Sequence, residues 1–171
     1  MRNISFRNDI LPLKNVLYRL ALRITQSHED AQDVVQDTLI KVWDKRDEWQ
    51  NILSIEAYSL RICRNIALDK IRKASASDET LDGKEYVIAA DNSSNPHDSM
   101  LGKERMEHIR RIVGSLPEKQ RTCFQLRDIE GKSYKEIASL LDVSEEQVKV
   151  NIFRARQTIK SKYQEIDNYG L

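Results

Sequence analysis

Val150 and Phe153 lie among Lys149, Arg154, Arg156, Lys160 and Lys162. At helical spacing, Glu146, Val150, Phe153 and Gln157 point away from a stripe formed by Val148, Ile152, Ala155, Ile159 and Tyr163. A face carrying an aromatic, a Val, amides and cations suits a DNA major groove. Apolar groups meet thymine methyls, amides read base edges, and Arg and Lys hold phosphates. The plain alternative is a helical hairpin in an all-α core. A second set is Arg61, Asn65 and Asp69, spaced four apart, with Arg64, Arg72 and Tyr58 close by. Cations beside an aromatic and an amide are what single-stranded DNA binding uses, although a solvated face with a core Tyr reads the same way. A third set, Asp30, Asp33 and Asp37, could in principle serve a metal-dependent nuclease. No His or Cys stands in ligand spacing with these acids and no glycine loop could cradle phosphate, so an enzyme is not expected.

The elements that must position these residues are helices. Ser133 with Glu136 and Ser144 with Gln147 form two capping boxes around a very short break at Asp142-Val143. Asp tolerates the left-handed backbone such a turn needs. Helix, tight turn and helix make a helix-turn-helix. Upstream, Pro12 to Gln26 reads as an amphipathic helix. Ser27 and Asp30 open the next helix, which frays near Arg46, and Asp47 to Ser54 reads as a loop. A third helix runs from about Ile55 to Lys73. Helices are also expected from Met100 to Gly114 and from Pro117 to about Ile129, the latter with a box formed by Ser115 and Glu118 and a stop at Gly131.

The chain has 171 residues and a formal net charge of +1, with the charge in blocks. Residues 61–73 hold five cations and one acid, whereas residues 74–99 hold six acids and one cation. Such blocks imply separate surfaces for separate partners. Residues 74–99 read as a flexible acidic linker, with Tyr86-Val87-Ile88 as its one apolar spot. The expected fold is all-α: two small helical domains, 1–73 and 100–171, joined by that linker. No stretch is apolar enough for a membrane span, and the N-terminus lacks a signal-peptide core. Cys63 and Cys123, without CxxC spacing, read as reduced core thiols.

The order of motifs resembles the extracytoplasmic-function (ECF) class of bacterial sigma factors in the sigma-70 family. The resemblance rests on DAQDVVQDTLIKVW at 30–43, AYSLRICRNIALDKIRK at 57–73 and SLPEKQRTCFQLRDIEGKSYKEIASLLDVSEEQVKVNIFRAR at 115–156. It implies that 1–73 is region 2 and 100–171 is region 4 of a factor that directs promoter-specific transcription initiation. The implied partners are core RNA polymerase, through its β′ clamp helices and β flap tip, promoter DNA, and an anti-sigma factor. Asp33, Gln36, Asp37 and Lys41 would contact the polymerase. Tyr58, Arg61, Arg64, Asn65, Arg72 and Lys73 would handle the −10 element, where Asn65 and the loop 47–54 match positions that capture a flipped base. Ser144, Gln147, Lys149, Val150, Asn151, Phe153, Arg154 and Arg156 would read the −35 element. A cytoplasmic protein, monomeric when free and without cofactor or metal, is implied. The chain departs from the family at Asp142, Glu146-Gln147, Asn151 and Tyr58, so promoter sequence does not transfer from better-known members. A conventional regulator with a sensing N-terminal half is the competing reading. It would bind operator DNA as a dimer and never support initiation with core enzyme.

Overall fold

The computed structural model describes residues 3–76 and 100–168. Among them are seven α-helices and no strand: α1 (Lys14–Thr25), α2 (His28–Asp44), α3 (Ile55–Ala76), α4 (Met100–Gly114), α5 (Glu118–Phe124), α6 (Tyr134–Leu141) and α7 (Glu145–Asn168). Most of the acidic stretch, including Tyr86-Val87-Ile88, lies outside the described residues.

Three of the expected caps form. Ser27 Oγ accepts from the Asp30 N–H at 3.3 Å, Ser133 Oγ from Glu136 at 3.0 Å, and Ser144 Oγ from Gln147 at 3.1 Å. Each satisfies a backbone donor that a helix start leaves unpaired. The fourth does not form. Ser115 Oγ donates to the Ile112 carbonyl at 2.6 Å, and α5 begins behind Pro117 with no side-chain cap. The hydroxyl takes an orphan carbonyl at the end of α4 instead. Glu118 Oε1 is occupied by the Thr122 hydroxyl at 2.8 Å.

Boundaries also shift elsewhere. Leu11–Leu13 is a 3-10 turn, so α1 starts after Pro12. Residues Arg46–Asn51, expected as loop, form a 3-10 turn that buries Trp49, whose Nε1 donates to the Val42 carbonyl at 2.9 Å. The helix α3 continues past Lys73 to Ala76.

Helices α1, α2 and α3 pack on one another as a bundle, and α7 packs against α4, α5 and α6. The two halves also pack together. Leu17, Leu20 and Ile24 of α1 and Leu60, Cys63 and Ala67 of α3 share one buried cluster with Cys123, Leu126, Ile137 and Leu141 from the second half. A separate cluster around Ile10, Val42 and Trp49 lies at the far end of the first half. The expected picture of two modules on a tether therefore gains an apolar seam between them.

Polar contacts edge that seam. Arg19 makes a two-pronged contact with Glu130, Nε to Oε1 at 2.7 Å and NH2 to Oε2 at 3.0 Å. Arg121 donates to the last carbonyls of α1, Arg23 at 3.0 Å and Ile24 at 3.3 Å, which a helix end leaves unpaired. Gln26, in the left-handed region at φ 56°, ends α1 and donates its amide to the Gly114 carbonyl at 2.6 Å. Lys132 pairs with Glu56. Burial, helped by the Arg121 and Arg110 charges, pulls the Arg23 guanidinium down to about 10.

Candidate nucleic-acid interface

The turn between α6 and α7 is set by Asp142, whose φ of 54° is left-handed and whose N–H returns to the Ala138 carbonyl. This points α7 away from α6 at once. Val148, Ile152 and Ala155 then face inward and are fully buried. Helical periodicity forces the other side outward. Val150 is 45% exposed and Phe153 63% exposed, an unusual position for apolar groups on a charged surface. Arg154 is exposed beside them, with no hydrogen bond or ion pair to the described residues.

The remaining expected contacts on this helix divide by what holds them. Arg156 lies two-pronged on Asp128, at 3.0 and 2.5 Å, and that hydrogen bond holds its pKa above the ordinary guanidinium value. Lys149 stands 5.6 Å from the Tyr134 ring, with Arg127 at 4.5 Å. Asn151 turns its amide NH₂ onto the Gln147 carbonyl at 2.9 Å, leaving its oxygen as the outward acceptor. Ser144 is occupied as the cap, while the Gln147 side chain is exposed.

On α3 the expected set splits. Asn65 and Lys73 are exposed, and Arg72 is exposed with a loose pairing to Asp69 at 3.7 Å. Tyr58 packs on the cluster of Ile10, Val42 and Trp49. Arg61 and Arg64 turn toward the second half. Arg61 donates to the Ser139 carbonyl at 2.5 Å, and Arg64 faces Glu118 at 3.9 Å with only 15% of its side chain exposed. The Arg64 Nε is buried without a hydrogen-bond acceptor.

On α2, Asp33, Gln36, Asp37 and Lys41 are all exposed, and Asp33 is steadied by Lys70 at 3.2 Å. The structure adds Ile40 and Trp43, exposed by 58% and 45%. Ile40 falls one turn after Gln36 and so extends the same face with apolar surface. Its signal in the sequence was an Ile off the buried stripe. Among the described residues no three His, Cys, Asp or Glu side chains converge in a way that could hold a metal ion.

Comparison with known proteins finds two family models along the chain. The sigma-70 region 2 family model matches residues 10–77, and the sigma-70 region 4 model matches residues 106–159. The ECF RNA polymerase sigma-E factor of Escherichia coli K12 is 32% identical over 142 residues, covering 79% of this chain and 74% of that protein. The chain belongs to the sigma-70 family. It is an ECF sigma factor, a class of transcription initiation factor without enzymatic activity of its own. The ECF sigma factor SigE of Mycolicibacterium smegmatis is likewise 32% identical, over 84% of this chain and 56% of that protein. Among solved structures, the sigma factor RpoE bound to the anti-sigma factor NepR, from Bartonella quintana, superposes with a TM-score of 0.74 at 24% identity, covering 93% of this chain and 96% of that one. CnrH in complex with the cytosolic domain of CnrY gives 0.65 at 22% identity, over 91% and 85%. The region 2 match thus runs over α1 to α3, and the region 4 match runs from within α4 into α7.

Proposed function

We propose that the chain docks on core RNA polymerase through the outer face of α2 and anchors upstream of a promoter through α7, with α3 engaging the strand that opens between them. The observation that carries this is the α7 surface: Val150, Phe153 and an Arg154 unpaired among the described residues stand outward on a helix whose opposite face is fully buried. Exposed apolar groups next to a free guanidinium match what a major groove offers.

Asp33, Gln36, Asp37 and Lys41, with Ile40 and Trp43, form the polymerase contact, and the β′ clamp helices are its target. Region 4 adds a contact to the β flap tip. Asn65, Arg72 and Lys73 meet the −10 element directly. Tyr58 braces α3 from within the Trp49 cluster, and Arg61 and Arg64 join the DNA surface when the two halves separate. Ser144, Gln147, Lys149, Val150, Asn151, Phe153, Arg154 and Arg156 make up the −35 surface, in which Lys149 and Arg156 are positioned by Tyr134 and Asp128. Residues 74–99 act as the linker between the two DNA-binding halves.

An anti-sigma factor is the proposed regulator; the solved RpoE neighbour named above is bound to one. The place of action is the cytoplasm, on the nucleoid while bound to polymerase. The test is run-off transcription: purified chain plus core enzyme on a promoter library should yield products from a subset of templates sharing two spaced elements. Tight dimeric binding to one operator, with no product on any template, would defeat the reading.

A further inference from the structure

The N-terminal turn, Phe6–Ile10, has no role in the surfaces above, yet it is fastened at both ends. The Ser5 N–H donates to Asp9 Oδ2 at 2.8 Å, and Ser5 Oγ accepts from the Asn8 N–H at 3.4 Å. Ile10 is fully buried and shares a cluster with Val42 and Trp49. Phe6 is partly buried against the same cluster and touches Trp43, which places the turn beside the C-terminal end of α2.

What the turn does there shows at Trp43. The Phe6 ring meets Trp43 edge to face, with centroids 5.4 Å apart and planes at 78°. Trp49 meets it in the same manner at 6.0 Å and 67°. Arg46 lies over the Trp43 ring, its Cζ 4.8 Å from the centroid, and is itself held by NH1 donating to the Trp43 carbonyl at 3.2 Å. Three neighbours thus fix a side chain that stays nearly half exposed. Its indole N–H makes no hydrogen bond with the described residues. Holding a Trp outward in this way gives up rotamer freedom in advance. That loss is recovered where a partner supplies a pocket and an acceptor, and Trp and Arg are enriched among the residues that dominate such contacts. The site also continues the docking face of α2. Gln36, Ile40 and Trp43 recur at i, i+4 and i+7, so they form one exposed stripe that ends at Phe6. The neighbouring row, Asp33, Asp37 and Asp44, is exposed and repels phosphate, so the stripe suits a protein partner rather than nucleic acid.

We propose that the N-terminal turn is a second wall of the polymerase-docking surface, in which Phe6 and Arg46 are positioning residues that hold Trp43 ready to enter core RNA polymerase. This rests on the transcription-factor reading and its α2 contact. It adds to that reading a segment outside the motif-bearing helices, and it gives the anchor a fixed direction before the partner arrives. Preorganisation of this kind strengthens binding by removing an ordering step.

The test uses the full chain. Affinity for core RNA polymerase is measured by fluorescence anisotropy, with run-off transcription by the same holoenzymes alongside. Trp43→Ala should weaken core binding by about thirtyfold. Phe6→Ala should weaken it by about two- to tenfold and Arg46→Ala by about two- to fivefold, while Phe6→Tyr, which keeps the ring, stays near the parent. In the Trp43→Ala background neither Phe6→Ala nor Arg46→Ala should weaken binding further, which separates positioning from general support of the fold. Thermal denaturation checks every variant, and the exposed Arg46 carries the test if Phe6→Ala unfolds. Unchanged core affinity in Trp43→Ala, or full additivity in the double variants, overturns the second wall and leaves the function intact. A loss confined to promoter opening, at unchanged core affinity, assigns the turn to DNA and overturns it as well. A parent that fails to bind core enzyme removes both.

Discussion

Arg154 and Arg156 are two residues apart on α7 and are held in opposite ways. Arg154 makes no hydrogen bond or ion pair with the described residues, whereas Arg156 is fixed on Asp128. Arg154→Ala is expected to weaken promoter binding by about 1–3 kcal/mol and to relax preference at one base pair. Titration of a set of single-base promoter variants checks this; a loss uniform across the set makes Arg154 a phosphate contact. Arg156→Ala and Asp128→Ala should each weaken all promoters alike, and the double variant should lose no more than the worse single one. The buried thiols give a second prediction at this scale. Burial pushes Cys63 up to about 12 and Cys123 up to about 11. Both stay protonated near neutral pH, so a disulfide reagent should label neither in the folded chain and both in denaturant. Above the ordinary thiol value of 9.0, unfolded thiols ionise while folded ones keep their protons. The unfolded state then binds fewer protons, so their contribution to stability falls as pH rises.

Among the elements, the α6–α7 turn is the most demanding. Asp142 occupies left-handed backbone, so Asp142→Val should destabilise by about 1–2 kcal/mol while Asp142→Gly is tolerated. Ser144→Ala should cost about 1 kcal/mol through the lost cap, seen as a lowered midpoint in urea. These features were legible in the sequence because they are local: a cap, its partner three residues on, and a stripe at helical spacing. The same logic misplaced Ser115, because a hydroxyl at the end of one helix and the start of the next can serve either. It also missed the π-type turn Gln125–Ile129 that follows α5. There the buried Gln125 bridges Arg23 and Glu130, at 3.0 and 3.2 Å, a partnership no local pattern announces. The N-terminal turn escaped for a similar reason: its one buried residue, Ile10, is too little to show a period. Of the site residues, the outward face of α7 followed directly from periodicity. The engagement of Arg61 and Arg64 by the second half did not, since it depends on contacts 78 residues apart in one case.

At the scale of the molecule, the proposed polymerase and promoter surfaces lie on different helices and should be separable. Replacing Gln36 and Asp37 together with Ala is expected to reduce core-polymerase affinity while full-length binding to −35 DNA stays unchanged. Fluorescence anisotropy with each ligand checks both arms, and unchanged polymerase affinity removes α2 from the docking surface. The seam between the halves combines apolar packing with cationic donors, and Arg64 is its weakest member. Its Nε is buried with no acceptor, and Glu118 is too distant for a hydrogen bond at 3.9 Å. Leaving a buried donor without a partner is unfavourable by about 1 kcal/mol or more. Arg64→Met should therefore raise the midpoint of thermal unfolding, yet slow promoter opening in a run-off time course. In the proposed cycle this sets a trade between a tight resting shape and readiness to unfasten: parting the halves would free the Arg64 Nε to meet water or a phosphate, which lowers what opening costs.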